Sequence, residues 1–74
     1  MAALSKEDKL QLINSHMRNL EYRKYGLELD LLVENAKETP NSDVINACTT
    51  SIEEIDNQVS ALNTELATVN ALTE

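Results

Sequence analysis

The chain has 74 residues, 42% hydrophobic and 26% charged, with one Gly, one Pro, one Cys, two Tyr, no Trp or Phe, and a net charge of −7. A chain this short holds at most one small domain and buries only about 60% of the surface its unfolded form exposes, so its core needs a staple or a partner. One Cys excludes an intramolecular disulfide, the apolar content excludes simple disorder, and one Gly with one Pro supplies too little turn chemistry for a multi-stranded sheet.

The chain opens Met1-Ala2-Ala3-Leu4-Ser5-Lys6-Glu7-Asp8 and contains no long apolar run. A secretory signal, a membrane span and an amino-terminal lipid are therefore not expected, and the expected setting is the cytoplasm. Ser5 is a candidate N-cap, with Asp8 placed to return the hydrogen bond and Glu7 to face the positive end of the helix dipole. From there Leu10, Ile13, Met17, Leu20, Lys24, Leu27 and Leu31 recur in steps of three and four, ending at Glu34. This spacing predicts a first helix over about 6–38.

Gly26 leaves two readings open. Arg23-Lys24-Tyr25-Gly26 can end a helix on a left-handed Gly, after which Leu27-Glu28-Leu29-Asp30-Leu31 alternates like a strand. A strand needs a partner of matching alternation, and the chain offers none. A continuous helix through Gly26, straight or bent there, is the expected form, at a cost of ~1 kcal/mol relative to Ala.

The one strong break is Glu38-Thr39-Pro40-Asn41-Ser42-Asp43. Pro40 biases Thr39 away from helical geometry and Asn, Ser and Asp are capping residues; alternatively Thr39 caps a helix with Pro40 at its first position. The turn is expected at about 39–42 and a second helix at about 43–72. In that helix Ile45, Cys48, Ile52, Ile55, Val59, Leu62, Leu66 and Val69 form four unbroken heptads. A strict 3.5-residue repeat predicts a left-handed supercoil against another helix. Thr49-Thr50-Ser51 and the many Asn residues are poor helix formers, so packing must hold this helix.

A short connector makes the helices antiparallel. The expected fold is all-α: an antiparallel two-helix coiled-coil hairpin that oligomerises into a helical bundle. Pairing the seams across Pro40 sets Leu31 against Cys48, Leu27 against Ile52, Leu20 against Val59, Met17 against Leu62, Ile13 against Leu66 and Leu10 against Val69. Lys24 then lies opposite Ile55 and beside Asp56, and His16 flanks Glu65.

One hairpin does not use every large apolar residue. At 100° per residue, Tyr22, Tyr25, Leu29, Leu32, Val33 and Ala36 fall opposite the seam of the first helix. Exposed, this stripe is a protein–protein interface, most simply for self-association; the other reading is that the chain breaks at Gly26 and buries the stripe itself.

Charge is unevenly placed. Lys6, Lys9, Arg18, Arg23, Lys24 and Lys37 balance Glu7, Asp8, Glu21, Glu28, Asp30 and Glu34, so residues 1–37 are neutral. Residues 38–74 carry Glu38, Asp43, Glu53, Glu54, Asp56, Glu65 and Glu74 without a Lys or Arg, and hold the whole −7. Such a surface gains nothing from counterion release, so a nucleic-acid partner is not expected. A membrane partner is not expected either, because Glu21, Glu28, Asp30 and Glu34 flank the stripe where interfacial helices carry Lys and Arg.

Catalytic chemistry is missing from the pattern. Cys48 sits in the seam, where a free Cys is a small hydrophobe, and His16 has no second His or Cys with which to hold a metal. No phosphate loop, His-Glu-x-x-His or Cys-x-x-Cys occurs. No enzyme, cofactor, metal or small-molecule substrate is expected.

The segments 10–33 and 45–72, with the Asn/Thr/Ser-rich outer face of the second helix, resemble in style the short coiled-coil hairpin proteins of tailed bacteriophages. The resemblance spans the whole chain through architecture and composition rather than a motif. It implies a small virion component or assembly accessory. The expected function is a non-enzymatic structural or assembly protein whose partner is a copy of itself or a larger protein. The alternative is an acidic inhibitor or antitoxin-like module that binds a basic protein through Glu53, Glu54, Asp56 and Glu65.

Overall fold

The computed structural model describes residues 3–73, and its two helices begin where the capping chemistry allows. Ser5 is extended (φ −71°, ψ 164°) and its side-chain oxygen accepts the Asp8 N–H at 3.1 Å. This opens α1 (Lys6–Asn35), with Glu7 and Asp8 in its first turn. Asn41 does the same for α2 (Ser42–Asn70): its Oδ1 accepts from the Asp43 N–H at 2.9 Å and the Val44 N–H at 3.4 Å. Of the two cap readings open at the break, the one after Pro40 is adopted. No strand occurs among the described residues, and the two helices pack against each other as an all-α hairpin.

Helix α1 runs unbroken through Gly26, which keeps a negative φ. Its Leu27–Leu31 segment is helical, so the strand reading is not realised. The helix ends at Asn35, three residues before the expected 38. Pro40 has no N–H and its ring would meet the carbonyl of Ala36 in a continued helix, while Thr39 must be extended. The chain therefore leaves the helix early: the Ala36 N–H is shared between Leu32 O and Val33 O, and the Lys37 N–H makes the tighter three-residue bond to Glu34 O. Helix α2 closes similarly at Asn70, with Ala71 N–H on Ala67 O and Leu72 N–H on Val69 O.

The least exposed positions reproduce the two seams. Ile13 and Leu20 in α1 and Cys48, Ile55 and Val69 in α2 are buried, Ile55 being 2% exposed. The other apolar seam positions, among them Met17, Leu27, Leu31, Ile52, Val59 and Leu62, are half-buried. Ser51, outside the seam, is half-buried too.

Three polar ties hold the register. In the middle, Lys24 Nζ donates to Asp56 Oδ1 at 2.7 Å, and this pairing raises the Lys24 pKa above its ordinary value. At the open end, Lys6 Nζ donates to Asn70 O and Leu72 O, both at 3.1 Å. Helix α2 has no basic residue in its own last turn, so α1 supplies the cation that faces its negative end. At the turn, the Glu34 carboxylate accepts the Asn41 N–H through Oε2 and the Lys37 ammonium through Oε1, both at 3.0 Å. Asn41 thus binds α1 with its backbone while capping α2 with its side chain.

Glu34 is 6% exposed, the one buried charged side chain among the described residues. The Asn41 N–H, and after it the Lys37 ammonium, hold its pKa below the ordinary carboxylate value despite burial. A depressed folded-state pKa means stability that is complete above the unfolded value of about 4.3 and lost as pH falls through the folded value. Acid titration of the unfolding midpoint should show this loss below about pH 4.3, and Glu34→Gln should flatten it.

An added Cβ at Gly26 would meet nothing within 4 Å. Gly26→Ala should therefore stabilise the hairpin by about 0.5–1 kcal/mol, read as a higher thermal midpoint at high dilution.

Candidate functional site

Because the seam fixes which side of α1 faces α2, it also fixes which side faces out. The apolar residues of α1 lie on two opposite faces and nearly cancel as an amphipathic pattern, whereas α2 is one-sided. Tyr22 (66% exposed), Tyr25, Leu29, Leu32 (67%) and Val33 all stand in solvent, and Ala36 is exposed at the helix's C-cap. The six predicted positions thus share one face about 21 Å long. The self-burial reading of this stripe is not realised in the chain.

The amino-terminal end of the stripe is marked by Arg18. Its guanidinium carbon stacks 5.0 Å from the centre of the Tyr22 ring, and its Nη2 approaches the Tyr22 hydroxyl at 3.5 Å. Glu21 Oε2 lies 3.9 Å from Arg18 Nη1. Arg18, Glu21, Tyr22 and Tyr25 line a shallow apolar depression. The other end is fixed by Glu34, which anchors the turn immediately behind Leu32, Val33 and Ala36. Glu34's role was hidden in the sequence: its seam position was visible, but not that the turn would bring the Asn41 N–H to its carboxylate.

The four acids of the alternative face are not brought together. At 100° per residue, Glu53 and Asp56 fall on one flank of α2 and Glu54 and Glu65 on the other. Asp56 is also engaged by Lys24. On the remaining outer face of α2 the hydroxyls of Thr49, Thr64 and Thr68 donate to Ile45 O, Ser60 O and Thr64 O of their own helix.

His16 is exposed, with Nδ1 3.0 Å from Leu12 O, and borders a shallow inter-helix groove with Asn19, Leu20, Arg23, Gln58, Ala61 and Leu62. Cys48 is a free thiol buried in the seam at the turn end, opposite Leu31 in the register. At 1.5 Å per residue that is about 22 Å along the rod from His16. No group of three or more His, Cys, Asp or Glu side chains that could hold a metal occurs among the described residues. None of the described helices is long and apolar enough to cross a membrane.

Comparison of the chain with protein-family models, with curated proteins and with solved structures finds no match.

With no Trp in the chain, the two stripe tyrosines are its intrinsic fluorophores. At high dilution, acrylamide should quench their emission almost as efficiently as that of free tyrosine, as their exposure requires.

Proposed function

We propose that this is a non-enzymatic assembly protein that works by presenting the outer face of α1 to another helix. The observation that carries the reading is the stripe itself: two Tyr, two Leu and a Val in solvent on one face of a helix whose other face is already packed. Isolated exposed apolar residues are ordinary, but a contiguous stripe marks an interaction site. Tyrosine suits such a site because it brings a large rigid apolar area with a polar tip.

The resemblance to short phage hairpin proteins suggests the setting, a small virion or assembly component in the host cytoplasm or the particle. The partner is another protein, either this chain or a larger one. Nucleic acid, membrane and small-molecule roles have no counterpart in the stripe's chemistry. The acidic-inhibitor reading has less support, since its residues are divided between two flanks of α2 and one is engaged within the hairpin.

Tagged chain recovered from its native cells, with Tyr25→Ala and Leu29→Glu alongside, tests the proposal. The variants should lose bound protein, whether copies of the chain or another species, by more than roughly tenfold. Retention by both variants would defeat the reading. So would loss on Glu53→Gln, Glu54→Gln and Glu65→Gln with a steep dependence on salt, which is the signature of the acidic face.

A further inference from the structure

The outer face of α1 has a finer pattern than an apolar patch. Arg18, Tyr22, Tyr25, Leu29, Leu32 and Ala36 follow one another in steps of four, three, four, three and four. This is a second heptad seam on the same helix, about 150° around it from the one that meets α2. A seam of that period specifies another helix as its occupant. We infer that the occupant is the same face of a second copy, with the two α1 helices antiparallel and their two-fold axis near Leu27; the inference rests on reading this face as an interaction surface.

The antiparallel register follows from the residues. With Tyr22 and Leu29 at a and Tyr25 and Leu32 at d, every layer pairs an a position with a d position. Tyr22 meets the partner's Leu32, Tyr25 meets the partner's Leu29, and Arg18 meets the partner's Ala36. Each layer of the apolar centre therefore holds one aromatic and one aliphatic side chain. A parallel pairing would instead stack Arg18 on Arg18 and crowd four tyrosines at one end. The antiparallel pairing also carries Arg18 to the carboxyl end of the partner's α1, whose last turn has no basic residue.

Gly26 gains a role in this arrangement. Nothing within its own chain needs a Gly there: φ is negative and the space above it is open. It lies on the flank of the stripe, one residue past Tyr25, and borders a groove lined also by Arg23, Leu27, Asp30 and, from α2, Ser51; in the antiparallel register this flank falls beside the two-fold axis, where it faces the partner's Gly26. A missing Cβ at that point lets two helices approach closely.

Area favours a second copy, and the charge of this face does not oppose it. The hairpin exposes 5616 Å², whereas a folded monomer of 8.3 kDa exposes about 4,600 Å². The excess of about 1,000 Å² matches the roughly 800 Å² per partner of a standard interface. Helix α1 carries five basic and six acidic residues and so meets its copy with almost no net charge, while Asp43, Glu53, Glu54, Asp56 and Glu65 lie on α2. Dimerisation through α1 leaves the two α2 helices outermost, about 24–30 Å apart at ordinary helix spacing, beyond the ~8 Å screening length of physiological salt.

Sedimentation equilibrium of the full chain and of Leu29→Glu tests the inference. The wild type should sediment at twice the chain mass and Leu29→Glu at the chain mass with unchanged helicity. Added salt should tighten the dimer, since its protomers carry like charge. In a Cys48→Ala background, a mixture of Tyr22→Cys and Leu32→Cys chains should form a mixed disulfide far faster than either chain forms its own. A monomeric wild type overturns the inference while leaving the recovery experiment above to decide whether the face binds a different protein. A dimer that survives Leu29→Glu also overturns the inference, and the recovery experiment again decides whether the face binds a different protein. Faster self-linking of Tyr22→Cys overturns the antiparallel register.

Discussion

Two helices packed side by side can bury one stripe on each, and everything else in this molecule follows from which stripe that is. The hairpin is a rod of 57 × 19 × 15 Å with a radius of gyration of 17.1 Å, against about 11 Å for a globular chain of this length. In such a rod no residue is surrounded on all sides, and only five apolar side chains among the described residues are buried. Register is therefore the decisive variable. A helix rotated by a quarter turn would trade a core of Ile and Leu for one of Glu and Asn, and would move the tyrosines from the outside to the flank.

The register is secured by apolar periodicity and then pinned by polar ties spaced along the rod. Lys24 and Asp56 are both partly exposed, so their pair adds little to stability, but a single polar residue in an apolar seam selects one alignment over its slipped neighbours. Lys6 and Glu34 act at the ends, where helices leave backbone groups without internal partners. Each draws a group from the other helix: Lys6 the carbonyls that end α2, Glu34 the amide of the residue that begins it. The fraying expected of a helix rich in Thr, Ser and Asn is resisted where it would start.

Most of this was legible in the sequence because heptads, caps and a lone Pro are local signals. The seam positions, the cap at Ser5, the Lys24–Asp56 pair and the grouping of the stripe residues on one face of α1 follow from spacing, which leaves open which residue at the break caps α2 and whether the stripe is buried. The early end of α1 does not, because it depends on Pro40 acting back across a turn on Ala36. Glu34 is the same case at greater depth. A Glu at a seam position is a defect until a turn folds the Asn41 amide and the Lys37 ammonium onto it, and no one-dimensional pattern encodes that closure. Gly26 was ambiguous for the opposite reason: its local signal, a possible helix stop, was real but was outweighed by apolar positions on both sides that share one seam.

The two helices divide the work between them. Helix α2 turns inward: one apolar stripe faces α1, three Thr hydroxyls bond to its own backbone, and a surplus of acids keeps its outer surface hydrated. A helix of that kind adds solubility and repels its like, so it directs contacts elsewhere. Helix α1 is nearly neutral and apolar on two sides, and holds midway along the flank of its outer face a Gly above which the hairpin leaves open space. Neither property helps α1 pair with α2, and the Gly hinders it by about 1 kcal/mol of helix stability. Both become intelligible if α1 is the middle layer of something wider, held on one side by α2 and open on the other to a helix of matching period.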